Sequence, residues 1–289
     1  MLMCAMCFVG CGKTEADNTT ESTKDTVVST EDTTTASEET EAPEVKKTLT
    51  MATNAEFPPY ESYEGTEIVG IDAEVAAAIA EKLGMELVIE DMKFDSLIPS
   101  VVSGGADMAM AGMTVTDERK ESVDFSVSYA TGIQSVIVKS GSDIKTLDDL
   151  AGKKIGVQLA TTGDIYASGD YGEDNVIKYN KGADAVLALV GGDIDAVIID
   201  NQPAKVFVEK NAGLEILPTE YAVEEYAIAV KKGNTELLDQ INGALEALIA
   251  DGTVDAIVAK YISANWSEQI IENRSRADGF VPPPLFFSV

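Results

Sequence analysis

Apolar and polar positions along this chain fall into two rhythms: short unbroken apolar runs of strand length, and longer stretches with apolar residues three or four apart. Ile71, Val75, Ala78, Ile79 and Leu83 share one helical face and Gly84 follows them. This predicts a helix over 72–83, stopped by a glycine in the left-handed conformation. The same criteria predict helices over 235–250 and 254–261, a helix headed by Thr161-Thr-Gly-Asp164, and a helical turn from Leu147 feeding a strand that ends at Gln158. Strands are predicted over 48–53, 86–90, 214–217 and 227–230, with 122–139 extended. Pro58-Pro59 forbids a continuing helix or a central strand after the first strand.

One pattern occurs twice. Leu97 to Gly112 runs apolar helix, Gly104-Gly105, Asp107, apolar strand, and Ala185 to Asp200 repeats it through Gly191-Gly192 and Asp195. Two α/β lobes follow, each an open sheet flanked by helices. The chain must cross between them and return, and the neighbourhoods of Val136–Val138 and 227–230 are the expected hinges. Ligands of open α/β sheets sit outside the carboxyl ends of strands. The residues just past the two repeated strands differ, Met113 to Arg119 in one copy and Asn201-Gln-Pro203 in the other, so the departures from the repeat mark the candidate site.

The ends follow neither rhythm. Residues 1–10 are apolar but too short to span a bilayer, and Cys11 follows. Residues 12–47 are mostly Thr, Ser, Glu and Asp, a composition that cannot repay the entropy of ordering and reads as a disordered tether. Residues 263–289, with Pro282-Pro-Pro284, form a tail with no assigned role. The expected lobes are 48–132 with 229–262, and 133–228.

The net charge of −29 repels nucleic acid and phosphate-rich ligands and favours neutral or cationic small molecules. The chain has no histidine, which removes Ser-His-Asp and Cys-His catalysis and most zinc sites. Its three cysteines, Cys4, Cys7 and Cys11, all precede the body, so no disulfide and no thiol nucleophile is expected there.

Polar clusters end four strands: Asn54 to Tyr60, Gly112 to Arg119, Gln158 to Gly163, and Asp200 to Gln202. Thr116 is a good helix cap and Asp117 and Glu118 suit a first turn, whereas Arg119 opposes the helix dipole. That placement makes sense if its guanidinium holds a carboxylate; pairing with the neighbouring acids is the plainer alternative. Thr161-Thr-Gly163 offers hydroxyls and N–H groups to an anion, or merely a cap. Asp200 offers an acceptor to an ammonium, or a cap or turn. Phe57, Tyr60 and Phe94 are aromatic walls or core.

Taken in order, Ala-Thr-Asn-Ala-Glu-Phe-Pro-Pro-Tyr60, Gly70-Ile-Asp72, Ala-Gly-Met-Thr-Val-Thr-Asp-Glu-Arg119, Asp124-Phe-Ser126, Gly-Val-Gln-Leu-Ala-Thr-Thr-Gly163 and Asp-Ala-Val-Ile-Ile-Asp200 resemble the polar amino-acid-binding proteins of ABC importers, bacterial extracellular solute-binding proteins of family 3. The resemblance spans about residues 48–262 and implies a two-lobed periplasmic-binding-protein-like fold of type II. It places ligand contacts at Asn54, Phe57, Phe94, Ala111, Gly112, Met113, Thr114, Arg119, Gln158, Thr161, Thr162 and Asp200. Arg119 would clamp the α-carboxylate with help from Thr114, Thr161 and Thr162. Asp200 and the Gly112 carbonyl would take the α-ammonium, and Phe57 and Phe94 would sandwich the side chain. Ala160 departs from the glycine common there.

Phe8 to Cys11 resembles a lipobox, which implies a lipid on Cys11, a true start codon upstream, and a protein anchored outside the cytoplasm through that lipid alone. The expected partners are a free L-amino acid and an ABC permease, with no nucleic acid, no cofactor and no metal; a monomer is expected. Two other readings are a cyclohexadienyl dehydratase-like enzyme with Glu56 as acid, and a sensor domain; no catalytic residue is expected under the first reading. For the ligand, the neutral amide of Asn54, the flat faces of Phe57 and Phe94 and the soft wall of Met113 favour glutamine or cystine over a basic amino acid, against the pull of Glu56 and Asp72.

Overall fold

The computed structural model of the protein describes residues 47–262. Cys11, the tether up to residue 46 and the tail from residue 263 lie outside the described residues. The chain opens with β1 (Thr48–Thr53), a hairpin sheet of β2 (Glu56–Phe57), β3 (Glu61–Glu64) and β4 (Glu67–Val69), then α1 (Ile71–Lys82) and β5 (Glu86–Asp91). It continues through α2 (Phe94–Ser103), β6 (Met108–Ala109), α3 (Asp117–Ser122) and β7 (Val123–Phe125). β8 (Ala130–Lys139) leads to β9 (Ile155–Gln158), α4 (Thr162–Tyr171), β10 (Val176–Tyr179), α5 (Gly182–Gly191), β11 (Ala196–Asp200) and α6 (Asn201–Lys210). β12 (Leu214–Ile216), β13 (Ala222–Tyr226), β14 (Ala229–Lys231), α7 (Thr235–Ala250) and α8 (Thr253–Tyr261) complete it.

Two sheets share one topology. The first has the order β5-β1-β6-β14-β7 and the second β10-β9-β11-β8-β12, with β13 also pairing β8. In each, the fourth strand, β14 or β8, runs antiparallel to both its neighbours and the other four run parallel to one another. The sequence repeat is the scaffold of this likeness. Gly104 and Gly192 both take left-handed φ, 81° and 86°, and end α2 and α5. The next N–H in each copy, of Gly105 and Asp193, reaches back to Ser100 O and Ala188 O at 2.8 and 3.0 Å, the closing bond of the same helix cap. Asp107 and Asp195 then each accept a backbone N–H at 2.8 Å, from Thr50 and Lys154, and so pin the helix exit to the neighbouring strand.

α1 buries Ile71, Val75 and Ile79 in one core with Ile241 and Leu245 of α7 and Val254 and Ile257 of α8. Each such side chain contributes about 1.5–3 kcal/mol, which fixes α1 and with it Asp72 in its first turn. Among the described residues no helix is long and apolar enough to cross a membrane.

The structure corrects one of the two expected hinge neighbourhoods. Val136–Val138 is fully buried mid-sheet, paired to β11 on one side and β12 on the other. The chain crosses between the sheets at 126–130 and 226–229, where Ser126 and Tyr129 donate to Ile228 O and Tyr226 O at 2.9 and 3.0 Å. Gly132 is required beside this crossing: a Cβ there would stand 2.3 Å from the Tyr226 ring. The small β2-β3-β4 sheet, β10, β13 and α6 escaped the hydrophobic pattern. In β13 the pattern is inverted, with Val223 56% exposed and Glu224 only 5%. Asn201-Gln-Pro203 forms the first turn of α6, where proline lacks no needed donor.

Candidate functional site

The carboxyl ends of the strands converge on a small cavity. Asn54, Phe57, Phe94, Ala111, Gly112, Thr114 and Arg119 line it from the first sheet's side, and Gln158, Thr161, Thr162 and Asp200 from the second. All were singled out from the sequence. Met113 is the exception: its side chain is fully buried with Leu97, Val101 and Val123 in the core, so it is not a cavity wall. The next residue in an extended segment points the opposite way, which puts Thr114 at the cavity and Met113 behind it.

Arg119 sits in α3, whose cap is Thr116: the Arg119 N–H donates to Thr116 Oγ1 at 3.1 Å. The guanidinium does not pair with Asp117 or Glu118; Lys120 takes Asp117 instead, at 3.2 Å. Arg119 is 7% exposed and forms none of the ion pairs seen among the described residues. It donates to Thr114 O at 2.7 Å and, across to the second sheet's side, to Ala160 O at 3.1 Å, with Phe94 stacked 5.3 Å from its carbon. Burial lowers its pKa, opposed by Glu224 and Asp200. A buried guanidinium with unused donors on a cavity wall suits a carboxylate.

Ala160 reaches Arg119 from an unusual conformation, φ 64°, in the region where glycine is at home. An L-residue there costs roughly 1–2 kcal/mol, whereas glycine costs about 0.5–1 kcal/mol in unfolded-chain entropy. Ala160→Gly is therefore expected to stabilise the protein by up to about 1 kcal/mol in urea unfolding. A clear loss of stability would mean that the strain is relaxed elsewhere.

Thr161 caps α4, accepting from Asp164 N at 3.3 Å and donating to Gln158 O at 2.8 Å, and the first turn beyond it presents N–H groups on the cavity side. Asp200 makes no side-chain cap to α6; its carboxyl accepts from the Tyr226 hydroxyl. Burial, and then the charge of Glu224, raise its pKa to about 7. Asn54 is occupied at both ends, donating to Met92 O and accepting from Gln158 Nε2, each at 2.9 Å. Gly112 has φ 51°, and a Cβ would lie 2.7 Å from the Phe57 ring; its N–H is held by Asp72 Oδ2 at 2.8 Å.

One lining residue was not legible. Glu61, in β3, is fully buried on the cavity wall, and neither of its carboxylate oxygens accepts a hydrogen bond from the described residues. Its polar neighbour is Asp72, itself fully buried and holding Tyr129 Oη at 2.8 Å. Burial pushes both carboxyls up, Glu61 well above the carboxylate range with Asp72 adding to the push, and Asp72 to about 6. Two such groups share a proton, and one cation would relieve both. In a chain rich in surface acids, a Glu between Tyr60 and Ser62 gives no signal of this. Glu56 and Asp72, the acids weighed from the sequence, do not line the cavity: Glu56 pairs with Lys181 and Asp72 lies behind Gly112.

Residues 49–264 match the bacterial extracellular solute-binding proteins of family 3. The arginine-binding extracellular protein ArtP of Bacillus subtilis is 35% identical over 226 residues, which is 75% of this chain and 87% of that protein. The L-cystine-binding protein TcyJ of Escherichia coli is 33% identical over 224 residues, 75% and 84% of the two chains. A solved ancestral arginine-binding protein bound to glutamine superposes with a TM-score of 0.72 at 42% identity, covering 76% of this chain and 99% of that one.

Proposed function

The chain belongs to the bacterial extracellular solute-binding proteins of family 3, and from that membership we propose that it captures a basic amino acid, arginine in the first place, for an ABC permease. The single observation that carries the choice of ligand is Glu61, a buried carboxyl on the cavity wall backed by a second buried carboxyl, Asp72, with no basic side chain among the described residues paired to either. A guanidinium or ammonium can take the place of the proton that the two carboxyls share and donate to both, whereas a neutral side chain leaves the pair protonated and gains no ion pair. The expectation of a neutral ligand rested on Asn54, Phe57, Phe94 and Met113; the two rings line the cavity and suit an aliphatic stem equally well, but Asn54 is bonded at both ends and Met113 lies in the core. ArtP is named for arginine, and the ancestral arginine-binding protein was solved holding glutamine, so the two side chains are the pair to compare.

In this reading Arg119 holds the α-carboxylate with the first turn of α4, Asp200 takes the α-ammonium, and Phe57 and Phe94 flank the aliphatic stem. The lobes, 48–132 with 229–262 and 133–228, each contribute, so the ligand makes its contacts only when they meet, and a ligand shifts such a balance only through contacts it makes better in one state. No reaction is part of this reading: the enzyme alternative relied on Glu56 as an acid, and Glu56 is committed to Lys181 away from the cavity wall. A lipid on Cys11 would hold the monomer outside the cell membrane, beside its permease.

Competition calorimetry tests the ligand. Arginine is expected to bind at least about tenfold tighter than glutamine or cystine, as one buried charge pair gained or lost is worth 2 kcal/mol or more. Glutamine or cystine binding tighter than arginine would overturn the choice.

A further inference from the structure

Beneath the cavity, and absent from its wall, lies a further buried carboxylate. Glu224 of β13 turns one oxygen, Oε2, to three donors: Thr114 Oγ1 at 3.1 Å, Gln134 Nε2 at 3.0 Å and Thr162 Oγ1 at 3.1 Å. Its other oxygen, Oε1, is buried and accepts no hydrogen bond from the described residues. Thr114 belongs to the first sheet's side of the cavity, whereas Gln134 and Thr162 belong to the second's. Among neighbouring charges, Glu224 does most to keep Arg119 protonated, and it also opposes ionisation of Asp200.

A threonine hydroxyl carries a single proton. Thr114 and Thr162 both give theirs to Glu224, so towards the cavity they present lone pairs and cannot donate to a bound carboxylate. A carboxylate arriving at Arg119 thus meets a guanidinium already partly compensated, two hydroxyls turned away, and a like charge close behind them. A ligand overcomes this only if it brings a cation of its own.

We propose that Glu224 is the positioning residue of the carboxylate subsite: it ties Thr114 to Gln134 and Thr162, orients the two hydroxyls, and competes with the ligand's carboxylate for Arg119, so that anions without a compensating cation are refused. The inference rests on the amino-acid reading of the cavity. It assigns to a residue that touches no ligand the task of keeping carboxylate binding weak enough to reverse.

The test uses Glu224→Gln, which keeps an acceptor oxygen for the three donors and puts a neutral amide where Oε1 makes no bond. The probes are L-arginine and L-argininamide, which differ in the charge of the carboxyl group. In the variant, the ratio of the argininamide Kd to the arginine Kd is expected to rise about tenfold over wild type, because only arginine is freed from the like charge. A rise of less than about threefold overturns the proposal, since a mere structural prop would change both ligands by the same factor. Glu224→Ala, read by the same ratio, serves if the glutamine variant does not fold. If wild type binds no arginine but another amino acid, the choice of ligand fails separately, and the ratio is read with that amino acid and its amide.

Discussion

Replacing Arg119 by alanine is expected to weaken amino-acid binding by about 30-fold to several thousand-fold, the equivalent of about 2–5 kcal/mol. The size follows from what would be left behind. A ligand carboxylate drawn into a cavity walled by Phe57, Phe94, Thr114 and the start of α4 would keep only backbone donors, with Glu224 close by and no longer offset. Arg119→Lys keeps the charge but not the fork, and an intermediate loss is expected. Calorimetry reads both, with circular dichroism confirming the fold. A Kd within threefold of wild type for the alanine variant would remove Arg119 from the site.

The second large effect belongs to Glu61. Glu61→Gln is expected to weaken arginine binding by about 30-fold or more while leaving glutamine within about threefold, so that the preference collapses. The same carboxyl ties binding to pH. Burial raises Glu61 well above its ordinary range, Asp72 to about 6 and Asp200 to about 7. Because these native values lie above the unfolded value near 4, the native state holds protons that the unfolded chain has lost. Their contribution to the stability of the free protein is present below about pH 4 and is lost as pH rises through about 6 to 7. A cationic ligand acts the other way: it favours the ionised carboxyls, expels a proton on binding, and binds less well as the solution is acidified through that range. At about pH 6.5 the enthalpy of arginine binding should therefore depend on the buffer's own ionisation enthalpy, and depend on it less in Glu61→Gln. An enthalpy indifferent to the buffer would sink this account.

Most of the architecture was written in periodicities that physical chemistry reads directly. The apolar stripe of α1 and the glycines that end α2 and α5 leave little freedom, because spacing and helix-end geometry are set by neighbours close in sequence; the aspartates, whose partners lie 57 and 41 residues away, were visible through the repeat. The cavity residues were legible for the same reason: they follow strands whose ends are visible, and the family resemblance orders them. Glu61, Glu224 and the β13 strand were hidden because their burial is imposed from far along the chain. Glu224 lies 110 residues from Thr114 and 62 from Thr162, and no local pattern in Val223-Glu224-Glu225 announces which acid turns inward. Met113 failed by parity, since one step along an extended segment exchanges wall for core.

β8 and β13 are hydrogen-bonded to each other from Ala130 opposite Tyr226 to Gln134 opposite Ala222, and both run on towards the first sheet. A paired ribbon of this kind yields to rotation of the lobes as a torsion bar does, twisting along its length with resistance set by its cross-links and by the Tyr226 ring pressed on Gly132. If the proposed capture involves such a rotation, the stiffness of this ribbon, and not the cavity wall alone, sets how long a bound molecule stays. Residence time and equilibrium selectivity can drift apart under mutation, the one tuned by side chains along the bar and the other by the cavity wall.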